Sequence, residues 1–75
     1  MRGSKVRILE FLRSHDGITS MGAYRYLGIT RLSARIQELR KLGYPIKTVI
    51  VNGINRFDEP VRYAVYVLEE DNNNE

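Results

Sequence analysis

At 75 residues, with twelve Lys and Arg against nine Asp and Glu, the chain has room for one domain around one small core. It has no cysteine, so no disulfide can staple that core, which fits a reducing compartment. No apolar run approaches the ~18 residues of a membrane span, and no signal-peptide pattern precedes the first amphipathic segment. The expectation is a cytoplasmic protein without a membrane partner.

The net charge of +3 hides an asymmetry. All the Lys and Arg lie within residues 2–62, whereas Glu69, Glu70, Asp71 and Glu75 crowd the end. Residues 1–68 therefore carry twelve positive against five negative charges, an excess suited to nucleic acid or another polyanion. The tail at 69–75 has nothing apolar to bury and is expected to be a disordered acidic extension of a domain at 1–68.

A first helix is predicted over residues 4–14, with Ser4 as N-cap and Ile8, Leu9, Phe11 and Leu12 as its apolar face. His15-Asp16-Gly17 ends it, and Ile18 follows as a single apolar anchor. Thr19 or Ser20 can cap a short second helix at about 20–27, with Ala23 and Leu27 on one face. Gly28 stops that helix in a left-handed turn. Thr30 is the expected cap of a third helix at about 31–42, along which Leu32, Ile36 and Leu39 make a narrow buried stripe. Gly43 and Tyr44-Pro45 close it.

From Ile46 the residues turn β-branched and aromatic, in the runs IKTVIV and VRYAVYVL. Two turns could join them. Asn52-Gly53 is a two-residue hairpin signal. A longer hairpin with its tip near 57–60 pairs strands of more similar length and is preferred.

A short helix, a glycine turn and a longer helix make the helix-turn-helix signature, and the appended hairpin makes it winged. The stretches ITS (18–20), GITRLSARIQELRKLGYPIKT (28–48) and, more loosely, NRFDEPVRYAVYVL (55–68) resemble small winged helix-turn-helix domains of phages and other mobile elements. The resemblance implies an α+β fold, three helices followed by a two-stranded antiparallel wing. It also implies double-stranded DNA as partner and a transcriptional regulator in a bacterial or phage-infected cell. Asp58-Glu59 at the wing tip departs from the basic or glycine residues that a phosphate-touching wing would carry.

The residues support the same expectation directly. With Leu32, Ile36 and Leu39 facing inward, 100° per residue turns Thr30, Ala34, Gln37 and Lys41 outward, flanked by Arg31, Ser33, Glu38 and Arg40. In a major groove, Gln37 can pair with adenine, Arg31 with guanine, and Ala34 can touch a thymine methyl. Ser33 and Lys41 suit phosphates. Thr19 and Ser20 could hold a phosphate at a helix start, although capping explains them equally. Asn55 and Arg56 on the wing, with Arg2 and Lys5 at the start of the first helix, are further DNA candidates. Arg35 is assigned to a salt bridge, and Tyr24 and Tyr26 to packing rather than base stacking.

Both faces of the hairpin read as apolar, and three helices can cover one of them. Val49, Val51, Tyr63, Val65 and Val67 form the face expected to be uncovered, a candidate interface for a homodimer or a different protein, unless a bulge or slipped register buries most of them. Catalysis has little support, because the one histidine, His15, ends a helix without a second ligand at metal spacing. The chain is expected to be a non-enzyme without cofactor, metal or small-molecule substrate. Besides a replication accessory, for which nothing in the sequence argues, two alternatives to a regulator remain. One is a protein-interaction module, such as a phage inhibitor of a host protein, working through the hairpin face. The other is an excisionase-like architectural factor that bends DNA.

Overall fold

Three helical segments and one hairpin follow each other along the chain in a computed structural model that describes residues 3–69. Arg2 and, of the expected tail at 69–75, residues 70–75 lie outside the described residues, while Glu69 bonds to Pro45 and Lys47. Helix α1 (Ser4–Ser14) buries Ile8, Leu9 and Leu12. Gly3, not Ser4, occupies its N-cap, and no side chain caps it. Phe11 is half-buried and stacks on His15, ring centroids 3.9 Å apart. The His15 Nδ1 atom also lies 3.0 Å from the Phe11 carbonyl oxygen, so this histidine closes the helix end.

Helix α2 (Ser20–Gly22) begins where the Thr19 hydroxyl accepts a 3.0 Å bond from the Gly22 N–H. It continues into a π-wound stretch (Ala23–Leu27) that ends at Gly28, φ 68°. There the Gly28 N–H donates to the Tyr24 carbonyl and the Ile29 N–H to that of Ala23, the double closure that favours a left-handed glycine. Ala23 is fully buried and Leu27 half-buried. Tyr24 and Tyr26 flank the Ala23 and Leu27 stripe and are 63% and 67% exposed, against the packing role expected of them. Tyr26 keeps one ring contact, with Phe11 at 6.3 Å.

Helix α3 (Leu32–Lys41) buries the expected stripe of Leu32, Ile36 and Leu39. Its N-cap is Arg31 rather than Thr30, with no side-chain acceptor for the first-turn amides. Gly43, φ 103°, turns the chain out of it. These stripes meet Ile18, Ile29 and Ile46 in one core. Each such aliphatic side chain contributes roughly 1.5–3 kcal/mol on burial.

Strands β1 (Ile46–Ile54) and β2 (Pro60–Leu68) pair antiparallel from Ile46 with Leu68 to Ile54 with Pro60. The ladder runs straight through Asn52-Gly53, so the longer hairpin forms. Its tip lies at 55–59, slightly earlier than expected, because Asn55 organises it. The Asn55 Oδ1 atom accepts from the N–H groups of Phe57 and Glu59, and Nδ2 donates to the Glu59 carboxylate. Asp58 takes a left-handed φ of 61° to close the loop. Ile18 is more than an anchor: its N–H and carbonyl exchange bonds of 3.0 and 2.9 Å with Tyr66. Gly17 beside it leaves no room for a side chain, since a Cβ would stand 2.6 Å from Val65 Cγ1.

Candidate nucleic-acid interface

The polar side chains of α3 divide into two groups. Three are consumed inside the molecule. Arg40 Nε donates to the Ile46 carbonyl at 2.9 Å, its Nη2 to the Thr48 hydroxyl at 2.8 Å, and the guanidinium lies 5.9 Å from the Tyr66 ring centroid. Arg40 therefore fixes the wing to the helix, instead of flanking the outward face. Glu38 is shared between Arg35, at 3.2 Å, and Lys5 of α1, at 3.6 Å. Arg35 thus has the salt bridge expected of it, while Lys5 spans to α3 instead of pointing outward alone.

The other group faces solvent. Thr30, Arg31, Ser33, Gln37 and Lys41 are exposed, and Ala34 among them is half-buried. Arg31 and Lys41 make no ion pair among the described residues. At the helix start, Ser4, Gly28, Ile29, Thr30, Arg31 and Arg35 line an open hollow of about 210 Å³. The first-turn amides of α3, without a side-chain cap, carry the positive end of the helix dipole there.

On the wing, Arg56 is exposed at the tip and makes no ion pair among the described residues. Asn55 is different, since its carboxamide is committed to the loop on both sides. Thr19 is likewise committed as a cap, whereas Ser20 is exposed. Strand alternation adds a residue that sequence reasoning missed. Arg62 pairs across the hairpin with Asn52, on the same strand face as Thr48, to which α3 is clamped. It is exposed and so stands on the helix side of the wing. The even-numbered alternation through Thr48, Asn52, Arg62 and Tyr66 was the signal that could have found it.

Val49, Val51, Tyr63, Val65 and Val67 share the opposite strand face, away from the clamp. Val49 and Tyr63 are exposed there and the other three half-buried. Lys47 on that face pairs with Glu69 at 2.9 Å. No helix among the described residues is long and apolar enough to cross a membrane.

A family model described as a winged helix-turn-helix domain matches residues 3–71. No curated protein and no solved structure matches the chain.

Proposed function

The chain belongs to the winged helix-turn-helix domain family, and from that premise we propose that it binds double-stranded DNA site-specifically, with α3 in the major groove. The observation that carries this reading is the division on α3. Arg35, Glu38 and Arg40 are tied internally, which leaves Arg31, Ser33, Gln37 and Lys41 free on one exposed face. The unengaged face carries two cations and a carboxamide, the groups that reach phosphates and base edges.

In the proposed complex Gln37 and Arg31 meet base edges, and Ala34 lets the backbone approach. Lys41, Arg56, Arg62 and the open amides at the start of α3 hold phosphates. Ser20 adds a hydroxyl to the backbone contacts, while Thr19 and Asn55 shape the elements that carry them. The resemblance to phage and mobile-element domains supports regulation of transcription as the use of such a site.

Fluorescence anisotropy with a labelled random-sequence duplex, between 50 and 200 mM salt, tests the docking. Each phosphate contact adds about −0.9 to the slope of log affinity against log salt, so some four contacts give a slope of about −3 to −4. Lys41→Ala is expected to flatten it by about one. Binding absent at the lowest salt, or indifferent to salt, would remove DNA as the partner.

A further inference from the structure

The two edges of the hairpin are not alike. At the two ends of the ladder the Glu69 N–H donates to the Pro45 carbonyl and the Asn55 N–H to the Glu59 carbonyl, so the odd-numbered residues of β1 bond to β2. Its even-numbered residues therefore turn their N–H and carbonyl groups the other way. On β2 the corresponding outward groups meet Ile18 at Tyr66, and Arg62 and Pro60 blunt the rest of that edge. On β1, Ile46 is covered by Arg40. Thr48, Ile50, Asn52 and Ile54 are all exposed, and nothing among the described residues covers their outward backbone groups.

This open edge lacks the devices that normally protect one. The register continues without a bulge, and 48–54 contains neither proline nor charge. Apolar side chains are exposed on both of its faces, Ile50 at 50% and Ile54 at 72% on one, Val49 at 38% on the other. Docking onto the valine face alone would leave Ile50 and Ile54 in water. A strand laid alongside β1 accounts for both faces at once.

We infer that β1 pairs with β1 of a second copy, antiparallel, around a two-fold axis at Val51. The four open residues are symmetric about Val51, so this register sets Thr48 opposite Ile54 of the second copy and Ile50 opposite its Asn52. Each facing pair exchanges two hydrogen bonds, and Val51 meets its own counterpart. Charge points to the same occupant. A basic chain repels itself, yet 48–54 is neutral and Lys47 is already paired with Glu69. The register also carries the wing tip, with Asp58 and Glu59, toward the Lys47 and Lys41 end of the second copy. Because the contact is isologous it closes at two copies rather than growing into a fibre. The contact is small beside a standard interface of ~800 Å² per partner, so a dissociation constant in the micromolar range or weaker is expected.

Sedimentation equilibrium and amide hydrogen exchange on the full chain, from about 10 µM to about 1 mM and without DNA, test the pairing independently of the proposed function. The expected result is a mass rising toward twice 8.7 kDa, with the amides of Thr48, Ile50, Asn52 and Ile54 gaining protection in step. Asn52→Pro removes an outward donor and leaves the β2 ladder intact, so it should keep its circular dichroism and stay monomeric. Val51→Lys sets two like charges at the axis and should raise the dissociation constant about tenfold or more. A chain monomeric throughout would overturn the inference. So would a dimer in which those four amides exchange as in the monomer.

Discussion

Ile36→Ala is expected to lower the thermal unfolding midpoint by roughly 10–30 °C, the largest stability effect of any single truncation in α3. Ile36 is fully buried, among Leu32, Leu39 and the apolar face of α1. Cutting it to alanine removes transfer free energy and leaves a cavity, together about 2–5 kcal/mol. A domain of this size has little more than that to lose, and each kcal/mol moves the midpoint by about 4–8 °C. Ile54→Ala is the matched control. The chemistry is identical, but Ile54 is 72% exposed, so at a concentration low enough to keep the chain monomeric the change should stay within about 0.5 kcal/mol. Thermal melts followed by circular dichroism compare the two. A loss below ~1 kcal/mol at Ile36 would mean that the α1–α3 contact does not hold the fold together.

The second large effect concerns recognition. On a duplex selected for its preferred sequence, Arg31→Ala and Gln37→Ala should each cost about 1–3 kcal/mol, or about 5- to 150-fold in affinity. The two differ in kind. Arg31 brings a charge as well as a fork of donors, so its loss also weakens binding to random DNA and flattens the salt slope. Gln37 is neutral, so its loss should relax discrimination between the selected and random duplexes and leave the salt slope as it was. Competition between the two duplexes reads this directly. Equal losses on both by Gln37→Ala would take base readout away from that side chain.

Helical periodicity carried far along this chain. The bounds of α1 and the Leu32, Ile36 and Leu39 stripe were legible because burial recurs at three and four residues. Gly28 and Gly43 marked the two turns for the reason the structure displays, a positive φ at each. The exposed face of α3 followed from the same arithmetic.

What was not legible depends on partners distant in the chain. No local pattern shows that Ile18 bonds to Tyr66, forty-eight residues on, or that Arg40 turns away from the outward face to clamp Ile46 and Thr48. Lys5 reads as a free cation until α1 is laid across Glu38. Tyr24 and Tyr26 flank the Ala23 and Leu27 stripe, and whether another element covers them is set by the tertiary arrangement, which leaves both exposed. Asn55 gives the sharpest case. An asparagine beside an arginine on a wing suggests a DNA contact, whereas all its carboxamide bonds build the loop that presents Arg56.

The central question is which surface of the domain meets DNA. Amide resonances of the uniformly labelled protein, followed as a duplex is added, would settle it. Shifts are expected at residues 30–41, at Arg56 and at Arg62, with the buried side of α1 near Ile8 and Leu12 unmoved. Shifts that avoid α3 and gather on the Val49, Val65 and Val67 face would contradict the account and make that face the binding surface.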